Sequence, residues 1–194
     1  MSNKLFLAIE HEDITRMANT EQEYMTVVAK CKDIFIRKNN DYGTSWRVLR
    51  PISIVDQLYI KAQRIRTIQN LGTQKINDNI EGEWMAIINY GIIALIQEEF
   101  SNSDEWDIPI ETALKLYDKH LNETFGLMQN KNHDYGEAWR NMSQESFADL
   151  ILTKVLRIKQ IVANDGKTEI SEGVDGNYRD IINYAIFALI LSNS

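Results

Sequence analysis

The stretch KNNDYGTSW at residues 38–46 is written again as KNHDYGEAW at 131–139. Lys38, Asn39, Asp41, Tyr42, Gly43, Trp46 and Arg47 match Lys131, Asn132, Asp134, Tyr135, Gly136, Trp139 and Arg140. The register continues through Ser53/Ser146, Asp56/Asp149, Lys61/Lys154, Arg64/Arg157, Ile65/Ile158 and Ile68/Ile161. At NLGTQ against NDGKT the second copy gains one residue, and IINYGIIALI (87–96) then pairs with IINYAIFALI (181–190). Two matched blocks separated by one short insertion mark a tandem duplication. A duplication constrains the fold strongly, because each copy must make the same unit and neighbouring units must cover each other's apolar faces.

Each copy reads as three helices. The first runs over 20–37, with Thr20 and Glu23 spaced as a capping box, and its counterpart over 109–130, where Pro109 suits a first helical turn. The second helices span 53–70 and 146–163, with Gly72 and Gly166 as stop signals. The third span 81–98 and 175–191 and are apolar all round, the mark of a central helix. Nothing alternates with the period of a strand. The expectation is an all-α protein: a tandem duplication of a three-helix module, with the two third helices meeting at a pseudo-twofold axis. The first repeat covers 19–99, a polar linker 100–108 and the second repeat 109–194. Residues 1–18 form an N-terminal extension outside the repeat.

Composition narrows the function. With 194 residues and 44% hydrophobic content the chain can bury a core. A net charge of −7 argues against a general nucleic-acid coat, which needs a Lys/Arg surplus, but leaves room for a small anion in a local basic pocket. The single cysteine, Cys31, rules out an internal disulfide framework and fits a reducing compartment, so a cytoplasmic location is expected. The apolar run LFLAI near the start is too short for a membrane span.

Polar residues in apolar positions point to a site. On the helix over 53–70 the apolar arc holds Ile54, Leu58, Ala62, Ile65 and Ile68; Lys61 falls inside it and Arg64 at its margin. Lys154 and Arg157 repeat the placement among Phe147, Ile158 and Ile161. A coreward lysine costs on the order of several kcal/mol unless it is paired or faces a wet cleft. Two cations three residues apart share a face and can grip a phosphate. They can equally serve the fold, with Lys61 paired to Asp41 or its head turned out to water. Asn89, flanked by Met85, Ile93 and Ile96, and its counterpart Asn183 need partners in the same way, from a backbone carbonyl or from a ligand.

In the repeated loop, Gly43 and Gly136 suit a turn with positive φ, and Trp46 and Trp139 either pack the loop on the core or stack a base. Tyr42 and Tyr135 offer a ring or a hydroxyl to a ligand. Asp41 and Asp134 either cap a turn or bind Mg²⁺ as hard oxygen ligands. Among further carboxylates, Asp56 and Asp149 match between the copies, Glu81 and Asp175 match in charge, and Glu83 and Glu172 stand nearby. Asp180 faces Ala86, so any site built on it belongs to the second copy alone. No HExxH, P-loop, CxxC pair or nucleophile elbow occurs. Cys31 and His133 read as incidental.

The pattern KNxDYGxxW, then K..RI on a helix, then IINYxIxAL, resembles the nucleotide modification associated domain 1 family, whose members include chains with the domain twice. More distantly, the helix order is similar to the all-α MazG and dimeric dUTPase-type pyrophosphohydrolases. That resemblance implies Mg²⁺ held by an ExxE pair and an ExxD pair, and hydrolysis of nucleoside triphosphates to monophosphates. Here the second helices carry one acid each, Asp56 and Asp149. The third helices read EGEWMAIINY and DGNYRDIINY, with Glu81/Glu83 and Asp175/Asp180 as the nearest substitutes.

The leading reading is a protein that binds a nucleotide or related phosphorylated metabolite. Lys61, Arg64, Lys154 and Arg157 hold phosphate, Tyr42 and Tyr135 the base or sugar, Lys38, Asn89, Lys131 and Asn183 are further ligand-binding candidates, and Asp41, Asp56, Asp134, Asp149 and Asp180 are the metal candidates. Catalysis, if present, is pyrophosphohydrolysis by metal-activated water. The competing readings are a non-catalytic sensing module in the same pocket and a purely structural or interaction protein. In the last, the motif residues are internal fasteners. The chain acts as a monomer with an internal pseudo-dimer or as a homodimer.

Overall fold

The computed structural model describes residues 2–76, 79–101, 103, 105–164 and 173–192, with side chains from residue 19 onward. Six α-helices follow one another: α1 Ser2–Tyr42, α2 Pro51–Leu71, α3 Ile80–Glu99, α4 Ile110–Tyr135, α5 Gln144–Ala163 and α6 Val174–Ser192. A 3₁₀ turn precedes α2 at Ser45–Val48 and another precedes α5 at Ala138–Asn141. The described residues contain no strand, and none of their helices is long and apolar enough to cross a membrane.

The first helix of each repeat is longer than its polar sequence implies. The segment KNNDY is the last turn of α1, and KNHDY is the last turn of α4, rather than a loop after residue 37 or 130. No proline or glycine interrupts either segment, so the i→i−4 ladder runs on until a glycine stops it. Gly43 and Gly136 supply that stop at φ 63° and 57°, their N–H groups bonding Asn39 O and Asn132 O at 2.9 Å. The capping box at Thr20 is also corrected. Helix α1 continues through it from Ser2, across the start expected for the first repeat, and the Thr20 hydroxyl donates to Glu137 of the second repeat instead. Pro109 stands just outside α4, as its N-cap. Gly72 ends α2 in the left-handed region, as expected, while Gly166 and Glu172 lie outside the described residues.

The third helices form the centre. α3 packs on α6, α2 on α3, α5 on α6, and α2 meets α5 across the two repeats. α1 and α4 each lie across both central helices. Trp84 and Tyr178, equivalent residues near the starts of α3 and α6, are both almost wholly buried. Where the two central helices cross, a Cβ on Gly91 would sit 2.7 Å from Ile182 Cγ1, so this glycine sets the approach.

The pseudo-twofold is legible in individual bonds. Asn89 donates to Cys31 O of α1 at 3.0 Å and accepts from Tyr117 Oη of α4 at 2.9 Å. Its counterpart Asn183 accepts from Tyr24 Oη of α1 at 2.8 Å and donates to Thr124 O of α4 at 3.4 Å. Tyr24 and Tyr117 are repeat equivalents, as are Cys31 and Thr124. Each central asparagine therefore ties its own repeat to the other one. Burial raises both tyrosine pKa values and pushes the Cys31 thiol up to about 12, which leaves it protonated and inert.

Candidate functional site

The repeated motif builds different surroundings in the two copies. In the first, a cavity of about 600 Å³ opens between the end of α1 and the start of α3. Phe35, Trp46, Tyr42 and Tyr90 contribute aromatic surface, and Met85, Ala86 and Ile93 contribute aliphatic wall. Lys38 stands at the edge, and Gly82, in the first turn of α3, lines the other side. The volume and mostly apolar lining fall within the range of small-molecule pockets, about 300–1,000 Å³.

The motif residues hold this cavity open and shape it. Asn39, buried in the last turn of α1, donates to Phe35 O at 2.7 Å and accepts from Trp46 Nε1 at 3.0 Å. Trp46 is half-buried and set against Phe35, ring centroids 6.3 Å apart, so it packs the turn onto the core while exposing part of its ring. The Thr44 hydroxyl donates to Asp107 and accepts from Ile108 N at 2.9 Å, which fastens the linker over the turn. Arg47 lies over the Phe100 ring, 4.4 Å from its centroid, and donates to Gln97 Oε1 and to Glu105 O. Tyr42 is 69% exposed, so its ring is free of core duty.

In the second copy larger or charged side chains stand at the same positions. Met85, Ala86 and Ile93 correspond to Arg179, Asp180 and Phe187. Phe187 stacks on Trp139 with centroids 4.2 Å apart and planes 5° apart. Arg179 turns to Glu123 Oε2 at 2.6 Å and to Thr124 Oγ1 and His120 O at 3.3 Å. Asp180 is buried between two lysines: Lys131 Nζ reaches Oδ1 and Lys154 Nζ reaches Oδ2, each at 2.6 Å. Glu137 replaces the role of Thr44. It is buried in the left-handed region at φ 57° and receives bonds from Thr20 and from Arg140 Nε at 2.9 Å. Arg140 also donates to Glu23 at 2.5 Å.

The lysines of the second helices are half-buried, as their place in the apolar arc implies, and of the alternatives for Lys61 a structural ion pair forms, with Glu83 rather than Asp41. Lys61 Nζ lies 3.2 Å from Glu83 Oε2, and Arg64 holds the other oxygen of the same carboxylate. Lys61 also lies over Tyr90, 6.0 Å from the ring centroid, at the back of the cavity wall. Glu83 and Asp180 sit one helical turn apart in repeat register, yet both bring one carboxylate to a pair of cations. Ala86 in place of Asp180 leaves Lys38 with no ion pair among the described residues, whereas its equivalent Lys131 is paired.

Of the remaining candidates, Asn89 lines the cavity with both ends of its amide occupied within the protein, and Asn183 is likewise satisfied. Tyr135 is exposed, as is Arg157. Asp41 and Asp134 project from the last turns of α1 and α4 into solvent, with Asp134 3.1 Å from His133 Nδ1. Asp56 and Asp149 do not join them. Asp56 pairs with Lys159 at 2.6 Å and Asp149 with Arg66 at 3.5 Å, two symmetry-equivalent links between α2 and α5. Among the described residues, no three His, Cys, Asp or Glu side chains converge as a metal site.

Met85, Ala86 and Tyr90 line the cavity without standing among the sequence-based binding candidates. Trp46 and Glu83 do stand among the candidates, as a base platform and a metal ligand, and here serve as cavity wall and ion-pair partner. The signal for Met85 and Ala86 is the divergence between copies at Met85/Arg179, Ala86/Asp180 and Ile93/Phe187. Substitutions clustered on one helical face of an otherwise matched repeat mark a surface under different demands. No curated protein and no solved structure matches the chain. A family model for nucleotide modification associated domain 1 matches residues 38–97 and 131–191. These two segments hold the KNxDYGxxW turn, the cation-bearing second helix and most of the central helix of each repeat, and by them the chain belongs to the nucleotide modification associated domain 1 family, with the domain present twice.

Proposed function

We propose that the first repeat binds a nucleotide or related phosphorylated metabolite in the cavity beside Lys38, and that the second repeat serves as its scaffold. One observation carries this reading: the shared motif borders an aromatic-lined cavity with an unpaired Lys38 in one copy, while in the other Phe187 lies on Trp139 and Asp180 pairs with Lys131 at the equivalent positions. A planar ring fits between aromatic and aliphatic walls, where each buried face gains apolar contact. The Lys38 ammonium supplies a charge-assisted donor for a phosphoryl oxygen at the mouth. Lys61 and Arg64 contribute indirectly, since Glu83 holds both and Lys61 backs Tyr90.

The residues fit a protein-held Mg²⁺ poorly. Glu83 and Asp180 are each matched with two cations, Asp56 and Asp149 belong to ion pairs between repeats, and Asp41 and Asp134 stand exposed at separate helix ends, Asp134 beside His133. No hydrolytic step is therefore routed through a metal, and the reading is a binding module rather than a MazG-type pyrophosphohydrolase.

A thermal-shift panel of nucleosides and nucleotides, with and without Mg²⁺, tests it, followed by pyrophosphate release on any hit. Stabilisation by at least one nucleotide is expected, lost in Met85→Arg, which carries the second copy's residue into the cavity. Lack of stabilisation by every compound would sink the reading. Pyrophosphate release would return it to hydrolysis.

A further inference from the structure

Resting on that reading, we infer that the cavity is built for a nucleoside monophosphate, an aromatic ring with one phosphoryl group, and that Ala86 sets this choice by leaving Lys38 unpaired. The second repeat shows what happens otherwise. There an aspartate at the equivalent position captures Lys131 at 2.6 Å, so an anion in that place is supplied by the protein itself. Lys38 and Ala86 line the same cavity, and by the pseudo-twofold Lys38 reaches the space over Ala86 that the Asp180 carboxylate fills in the other copy. An incoming phosphoryl group replaces that missing carboxylate.

Charge limits the ligand to one such group. Lys38 is the one cation among the residues lining the cavity. The neighbouring Lys61 and Arg64 are committed to Glu83. Asp41 stands one turn from Lys38 on α1, exposed and with no ion pair among the described residues, whereas Glu81 and Glu83 are matched by Lys30 and by Lys61 and Arg64. A triphosphate tail would add up to three further charges with one unpaired ammonium, Lys38, to receive them and Asp41 beside it, and like charges at close range are unfavourable. Among the described residues no carboxylate cluster stands ready to hold Mg²⁺, the usual means of neutralising a polyphosphate.

The test is calorimetric titration of the intact chain with a nucleoside, its 5′-monophosphate and its triphosphate, the last with and without Mg²⁺, for each common base. The monophosphate of at least one base should bind about ten-fold or more tightly than both its nucleoside and its triphosphate, the size expected of one charge-assisted contact. Lys38→Gln should reduce the monophosphate to the affinity of the nucleoside and leave the nucleoside unchanged. Ala86→Asp should do the same by giving Lys38 an internal partner; because Lys38 is exposed, the glutamine variant stays informative if the aspartate variant folds poorly. Tighter binding of the triphosphate in either condition, or a monophosphate preference that survives Lys38→Gln, would overturn the inference while the binding function stands. Absence of binding by the whole panel would overturn both.

Discussion

Asn89 shows how far a single side chain can be read. Its place on an apolar helix face demands partners, and the sequence leaves open whether these are protein or ligand. In the folded chain the amide bridges Cys31 O and Tyr117 Oη, so it serves as a fastener that also lines the cavity. Asn89→Ala leaves a buried carbonyl and a buried hydroxyl without their partner, at a cost of about 2–3 kcal/mol. In a chain of this size that lowers Tm by several degrees, by about 2–4 °C per kcal/mol. Asn183→Ala should act similarly, because Tyr24 and Thr124 lose the equivalent bonds. A variant that melts with the wild type would show that these bonds add nothing to stability. Lys61 carries the opposite lesson: its burial is visible in the helical pattern, but its partner Glu83 lies on another helix and was passed over for Asp41.

At the scale of elements, the close crossing of α3 and α6 rests on Gly91. A methyl group there would meet Ile182 Cγ1 at 2.7 Å, and a β-branched side chain on a helix has little rotamer freedom to yield. Gly91→Ala should therefore destabilise by about 1–3 kcal/mol, measured by denaturant titration, even though alanine is the better helix former. An unchanged or raised midpoint would show that the helices separate at no cost. The other sensitive junction is His120, buried on α4 beside Glu99 of α3, with Glu123 and Lys119 on its own helix and Arg179 on α6. Burial lowers its pKa below the ordinary 6.5, against the pull of Glu99 and Glu123, so the folded state holds it neutral. The unfolded chain takes up the proton near its ordinary pKa. Stability attributable to His120 is thus full above about pH 6.5 and declines as pH falls from there toward the lower folded-state value. Thermal melts across this range should show the slope in the wild type and a flatter profile in His120→Gln; equal slopes would remove His120 as the cause.

On the scale of the whole molecule, the two repeats share one core. Each central helix is covered by the other repeat, each central asparagine bonds across the axis, and Asp56–Lys159 and Arg66–Asp149 link α2 to α5. The intact chain should melt in one transition. A chain of residues 109–194 alone exposes the apolar face that α3 covers, so it should either self-associate as a mimic of the missing half or lack a cooperative transition, as read by sedimentation and calorimetry. A monomeric single repeat with a sharp melt would contradict the shared core.

The sequence by itself determined the helical class, the duplication and the meeting of the third helices. Those conclusions follow from periodicity and from residues apolar on every side, which any helix carries within its own few turns. It placed the second and third helices closely, because glycine stops and apolar periodicity are local signals. It misjudged the ends of α1 and α4, where a polar but uninterrupted segment remains helical until a glycine. Only the tertiary structure decided which acid meets Lys61, that Asp56 and Asp149 serve the interface between repeats, and that Lys38 borders a cavity unpaired while Lys131 meets Asp180. Those outcomes depend on how one helix is rotated and shifted against another. A difference of one turn, as between Glu83 and Asp180, leaves a helix's own pattern intact while changing every partner it reaches.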